Sequence, residues 1–285
     1  MNHRIFFYVN VTKTGSDGVL RKATEIAARS GYQCKVYKDA SCMFADCIEE
    51  DEDEPACIVT IGGDGTTLRA VSHAVNQGIE IITPILGINL GKIGFFSETS
   101  IEGFEETLKQ FSEGDYTIET DRMLKASFKD GREFFALNDF LAYKSGFSSV
   151  SHIELGVDGA DVGMIHGDGI IVSSRLGSTG YSISAGGPVV APNLDVILVT
   201  PVCPHSLTVR PIAAAFDSVI EINAQSDCVM YADGISTVQV PAGTGFTLSG
   251  CNKQVGFIRT EKCFSPHQRE AELNRLGRKA ICWNG

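Results

Sequence analysis

No apolar run in this 285-residue chain approaches the roughly 18 residues that a membrane span needs. The first residues, Met1-Asn2-His3-Arg4-Ile5, lack a signal peptide's long apolar region and small-residue cleavage site, so a cytoplasmic location is expected. Cys-x-x-Cys is missing as well. The nine cysteines are odd in number and scattered, which supports neither a zinc site nor a disulfide framework. The six histidines show no metal-ligand spacing. Positive charge is in deficit, with 24 Lys and Arg against 35 Asp and Glu and a formal net charge of −11. That balance argues against non-specific binding to nucleic acid or to an anionic membrane, and no basic amphipathic helix offsets it. A polyanionic substrate would have to be met locally, by backbone amides, arginines or a metal ion.

What is present is organised around Thr60-Ile61-Gly62-Gly63-Asp64-Gly65-Thr66-Thr67. The apolar run from Ala56 to Ile61 predicts a buried parallel strand, and Leu68, Ala70, Val71 and Ala74 recur at helical spacing after it. Glycines at such a strand-to-helix turn admit left-handed dihedrals and close approach of a ligand. The amides of the turn and of the helix N-terminus form a phosphate seat. Asp64 is the unusual member, because a carboxylate repels phosphate. It makes sense as the acceptor of a proton from a hydroxyl nucleophile or as the holder of a phosphate-bridging metal. As a mere cap of the following helix it would be structural only.

Around this turn the pattern is strand, helix, strand, helix, strand. Ile5 to Val11, Cys34 to Tyr37 and Ile81 to Leu86 read as strands. A helical stripe through Leu20, Ala23, Ile26 and Ala27 stops at Gly31. The six acidic residues Glu49 to Glu54 read as a solvated loop. An open, Rossmann-like parallel sheet with helices on both faces is predicted over 1–115, with ligands beyond the carboxyl ends of its strands. A second glycine-punctuated loop, Gly87 to Phe96, would lie at that same edge. A helix over Ile101 to Phe111 leads onward. From Tyr116 the texture becomes short β-rich runs parted by turn signals such as Val157-Asp158-Gly159 and Ala232-Asp233-Gly234. A mainly β domain over 116–263 is expected, followed by a tail, 264–285, returning to the first domain.

In that second half, Gly167 to Ser182 forms a strand followed by a turn rich in hydroxyls and glycines, suited to ribose and phosphate, with Tyr181 adding a ring face. A hairpin loop is the plainer account. Leu137-Asn138-Asp139 places an amide beside a carboxylate, able to read a base edge or ribose hydroxyls, though Asn-Asp also ends strands. His205, in Pro204-His205-Ser206-Leu207, reads as structural.

Together these stretches resemble the NAD kinase family. The resemblance runs through the Gly62 to Thr66 turn, Leu86 to Phe96, Leu137 to Asp139, Gly167 to Ser184, Pro201 to Pro211 and Asp233-Gly234. The first motif is shared with diacylglycerol and sphingosine kinases, and the Gly167 to Ser184 stretch is what distinguishes NAD kinases. The resemblance implies phosphoryl transfer from ATP, or from inorganic polyphosphate, to the adenosine 2′-hydroxyl of NAD, with Mg²⁺. It implies a site between an α/β domain and a β-rich domain, in a homo-oligomer, dimer or tetramer, whose neighbouring subunit completes the site. It implies Asp64 as general base, with Gly63, Gly65 and Thr66 seating phosphate. Phe95 would lie beside the adenosine, and Asn138 and Asp139 on the ribose or nicotinamide side. Asp168, Thr179, Gly180, Tyr181, Ser184, Cys203 and Asp233 would line the rest. Mg²⁺ and backbone amides would then stand in for the absent Walker lysine. Three positions depart from the family pattern: Asp139 for Glu, Ser174-Arg175-Leu176-Gly177 for Thr-Pro-Thr-Gly, and Gly180 for Ala. A diacylglycerol-type lipid kinase and a non-catalytic dinucleotide-sensing module are the alternatives. The first would require a route onto membranes, the second binding without turnover.

Overall fold

A computed structural model describes residues 3–39, 54–76, 83–90, 96, 99–146 and 149–260. Phe95, most of the acidic run before Glu54 and the tail 264–285 lie outside the described residues. The chain forms two compact units that divide at Asp121/Arg122 and again at Lys253/Gln254. Both divisions fall inside long strands, Thr117–Phe128 and Thr244–Arg259, which is why turn signals in the sequence point to different positions.

The first unit alternates β1 (Arg4–Asn10), α1 (Ser16–Arg29), β2 (Gln33–Asp39), β3 (Cys57–Gly62), α2 (Asp64–Asn76), β4 (Ile85–Asn89) and α3 (Phe104–Glu113). The strands lie in the order β2-β1-β3-β4, all parallel. All six residues of β3 are buried, as expected for a strand covered on both faces. Leu20, Ala23, Ile26 and Ala27 form the buried face of α1 and meet Ile5, Phe7, Val59 and Ile61 from the sheet. Successive strands leave β1 on opposite sides, so the chain reverses direction between β1 and β3. The carboxyl ends of these two strands are therefore where an open α/β sheet binds ligands.

The second unit is built from β5 (Thr117–Phe128, from Arg122 on), β6 (Glu133–Ala136), β7 (Asp139–Lys144), β8 (Ser151–Val157), β9 (Ala160–Gly167) and β10 (Gly169–Ser173). After the short helix α4 (Tyr181–Ser184) come β11 (Val196–Val202), β12 (Ile212–Ala215), β13 (Ile220–Ala224), β14 (Cys228–Ala232), β15 (Ser236–Val240) and β16 (Thr244–Arg259). One antiparallel sheet runs β12-β11-β10-β7-β14-β15. In the other, β16 pairs with β13, β13 with β8, and β8 with β9. Alternate residues of both sheets, among them Phe140, Ile170, Val172 and Met230 from one and Leu155, Ile222 and Phe246 from the other, form a common core. Two hairpins turn at Asp-Gly pairs, Asp158-Gly159 (φ 53° and 78°) and Asp233-Gly234 (φ 51° and 67°), as type I′ turns demand. Beyond Lys253 the end of β16 belongs to the first unit, where Phe257 pairs in parallel with Ile85 of β4.

Phe246 stacks on Phe128 at 4.9 Å between ring centroids, and Phe128 meets Phe134 edge-on. Phe246→Ala should destabilise by about 3–5 kcal/mol. The measurement is denaturant unfolding of the second unit's β signal, with a lowered midpoint at unchanged slope expected.

Candidate active site

In the first unit β3 ends at Gly62 and α2 starts at Asp64, so the turn is only Gly63 long. None of Gly62, Gly63 and Gly65 has a positive φ, which corrects the left-handed dihedrals expected there. What Gly62 supplies is close approach: a Cβ on it would stand 2.1 Å from Thr66 Oγ1. The buried Thr66 side chain folds back over the turn, its amide donating to Gly63 O at 2.8 Å. Below it, Thr60 and Thr67 share a buried hydroxyl contact of 2.9 Å. Asp64 is half-buried at the first turn of α2, where helix amides favour an anion. Its Oδ1 accepts a hydrogen bond from the Phe96 amide at 3.0 Å. Phe96 is itself buried and stacked on Phe257 at 5.2 Å, so this support is rigid. The turn after β1 brings Lys13 alongside, its Nζ lying 2.9 Å from where a Gly63 Cβ would be. A carboxylate, an ammonium and helix-end amides thus meet where β1 and β3 end. Gly65 is exposed on the following turn.

In the second unit a cavity of about 420 Å³ is lined by Asn138, Asp139, Leu141, Tyr143, Gly180, Tyr181, Tyr231, Asp233 and Gly234. The size suits a small organic ligand. Asp139, Leu141 and Tyr143 are alternate residues of β7, and Tyr231 faces Leu141 from β14. Gly180 and Tyr181 come from the turn that leads out of β10. That turn packs directly on the Leu137 to Asp139 segment, since a Cβ on Gly177 would stand 2.1 Å from Asn138 O. Ser174 ties the two together, its Oγ donating to Leu137 O at 2.7 Å and its amide to Asn138 O at 2.8 Å. The Ser174 to Gly177 departure therefore keeps both a hydroxyl and a glycine where the packing uses them.

Asp233, at the β14–β15 turn, accepts hydrogen bonds from the amides of Leu137, Asn138 and Asp139 at 2.8, 2.7 and 3.1 Å. Its carboxylate is thus engaged with backbone, and it shapes the pocket by holding that segment. Burial pushes the Asp139 carboxyl up to about 7, with the nearby Asp233 adding to the shift. Burial also raises Asp233, to about 6, against the three amides that favour its anion. The amides make Asp233 the carrier of the negative charge and leave the proton on Asp139. Asn138 Oδ1 is buried with no hydrogen-bond partner, an acceptor awaiting a donor.

Asp168, Thr179, Ser184 and Cys203 do not line this cavity. Asp168 pairs with Lys144 Nζ at 2.7 Å, and Thr179 Oγ1 donates to Leu176 O. Ser184 is exposed, and Cys203 is exposed with φ 46°. Sequence reading passed over Lys13, Tyr143, Lys144 and Tyr231. The period-two placement of Asp139, Leu141 and Tyr143 was the available signal for Tyr143. Lys13 and Tyr231 are brought in by non-local pairing, which leaves no local signature.

The ATP-NAD kinase N-terminal domain family matches residues 3–116, and the ATP-NAD kinase C-terminal domain family matches residues 137–260. The NAD kinase of Caldicellulosiruptor saccharolyticus is 36% identical over 72% of this chain and 77% of its own length. The chain belongs to the NAD kinase family. The NAD kinase of Geotalea daltonii is 32% identical over 78% of this chain and 80% of its own. An NAD kinase from Archaeoglobus fulgidus, solved in complex with ATP, superposes with a TM-score of 0.74 at 27% identity, covering 98% of each chain. A yeast NADH kinase solved with NADH has the same fold, with a TM-score of 0.81 at 19% identity over all of this chain and 88% of that one. The α/β unit with its parallel sheet and the mainly β unit are those of the family. NAD kinase activity is supported, and the lipid-kinase and sensing alternatives are not favoured.

The buried pair sets a pH dependence. The folded Asp139 holds its proton above the ordinary carboxylate range while the unfolded chain has released it, so stability should fall as pH rises from about 4 towards about 8. Asp139→Asn should flatten that fall. Thermal unfolding at about pH 5 and about pH 8 reads the difference between the two proteins.

Proposed function

We propose that this chain transfers the γ-phosphoryl group of ATP to the adenosine 2′-hydroxyl of NAD, giving NADP, with Asp64 as the general base. The observation that carries the reading is Asp64 itself, a carboxylate set among helix-end amides, fixed by the Phe96 amide and flanked by Lys13. A loop that only cradled phosphate would gain nothing from that carboxylate. Asp64 takes the hydroxyl proton as the oxygen attacks phosphorus, and the bond from the γ-phosphorus to the bridging oxygen breaks with ADP as leaving group. Lys13 and the amides of α2 stabilise charge on the donor phosphates, the part a Walker lysine plays elsewhere. The first unit's turn offers one fixed carboxylate, and no cluster of three or more metal-ligating side chains occurs among the described residues. That donor set fits Mg²⁺ arriving with the donor phosphates and touched by Asp64, where it would neutralise developing charge. In the second unit, Tyr143, Tyr181 and Tyr231 supply ring faces for the dinucleotide. Asn138 Oδ1 accepts from an amide or amino group, and protonated Asp139 donates.

ATP is the donor in this reading, by analogy with the Archaeoglobus relative, and polyphosphate is the competing donor. A cytoplasmic setting, a homo-oligomeric state, and contributions of Phe95, Asp168, Thr179, Ser184 and Cys203 belong to the same proposal through the family resemblance.

The test is NADP formation from NAD, ATP and Mg²⁺, read with an NADP-specific dehydrogenase. Asp64→Asn should lower kcat about a hundredfold to ten-thousandfold with fold and NAD affinity retained. Lys13→Met should raise the KM for ATP more than that for NAD. Unchanged turnover in Asp64→Asn would remove the general-base assignment.

A further inference from the structure

On the sheet of the second unit that carries β8 and β9, His152 and His166 stand directly opposite one another. Neither uses its backbone towards the other. His152 donates its amide to Ser226 Oγ and accepts at its carbonyl from Gln225, and the His166 carbonyl accepts from His205. They therefore form the narrow, non-hydrogen-bonded kind of cross-strand pair, the kind that brings side chains closest. The rings meet edge-to-face at 4.8 Å between centroids, with the two Nδ1 atoms 2.6 Å apart. His166 is exposed and His152 half-buried, so the pair opens to solvent. Glu154 lies two residues along the same face of β8, held by Asn223 Nδ2 at 2.8 Å.

Two converging imidazole nitrogens on a rigid strand pair are a chelate. At metal–nitrogen distances of about 2.0–2.1 Å, two cis nitrogens of one ion stand about 2.9 Å apart at a right angle and about 3.3 Å apart in a tetrahedron. The pair reaches these spacings by opening about 0.3 Å for the right angle and about 0.7 Å for the tetrahedron. We propose that His152 and His166 form a two-histidine site for a late first-row divalent metal ion such as Zn²⁺, Ni²⁺ or Cu²⁺. Imidazole selects these ions over Mg²⁺. With an ion bound, each ring would carry its proton on the nitrogen away from the ion, so that both Nδ1 lone pairs face it. No third His, Cys, Asp or Glu joins a metal-binding group there among the described residues, so water fills the remaining positions.

Calorimetric titration of the full chain with Ni²⁺, in excess Mg²⁺, tests this. One site is expected. His152→Gln and His166→Gln should each weaken it about tenfold or more, because a chelate becomes a single weak bond when one arm is lost, and the double variant should lose the site. His205→Ala should leave it intact. Ni²⁺ should also raise the unfolding temperature of wild type and of His205→Ala, and not of the two Gln variants. Equal affinity in all five proteins, or dependence on His205, would each overturn the proposal.

Discussion

The second unit's pocket depends on one buried carboxylate. Asp233 gathers three successive amides, from Leu137 to Asp139, that no sheet ladder satisfies. Those donors would otherwise be orphaned where β6 gives way to β7, at a cost of about 1–3 kcal/mol each. Because they are satisfied from one side, the segment turns sharply and presents the Asn138 amide and the Asp139 carboxyl to the cavity. The positive φ of Asp233 follows from the same arrangement, since the type I′ turn aims its side chain back at that segment. One hairpin turn thus fixes the floor of a pocket whose walls come from β7, β14 and the turn after β10.

The first unit solves a different problem with similar means. Asp64 must hold a fixed direction at a helix end that is open to ligand. Its orientation comes from the amide of Phe96, and the placement of Phe96 comes from Phe257. Phe257 lies on the last described strand, paired in parallel with β4. This last described strand therefore acts on a side chain nearly two hundred positions earlier through two ring faces and one hydrogen bond. Removing either aromatic would leave the Asp64 carboxylate present and badly aimed, which under the proposed general-base role is close to removing it.

Much of this was legible in the sequence, for identifiable reasons. The parallel sheet announces itself because strands buried on both faces must be continuously apolar, as Cys57 to Ile61 is. The Asp-Gly hairpins announce themselves because type I′ turns admit few other residues. The Gly62 to Thr66 turn was visible, yet its glycines serve a different end from the one inferred. Gly62 makes room for Thr66, a contact that composition cannot reveal. The role of Asp233 stayed hidden for the same reason. Asp-Gly reads as an ordinary turn, and that its carboxylate reaches residues about a hundred positions upstream is a property of the sheet order. Lys13 belongs to the same class, because its place beside Gly63 depends on β1 and β3 being neighbours.

The Asp139 departure from the family's glutamate acquires a physical meaning from these contacts. A glutamate would carry its carboxyl one methylene farther into the cavity, away from Asp233 and towards ligand and solvent. The shorter side chain keeps the acid against its buried neighbour, where two negative charges cannot be accommodated together and one proton is retained. Below about pH 7 the pocket then offers a hydrogen-bond donor at this position. A dinucleotide carries both kinds of partner, ribose hydroxyls that serve either role and an amide carbonyl that only accepts. In the proposed dinucleotide site the shorter acid would favour a partner that accepts, with the depth of the pocket altered by a single methylene.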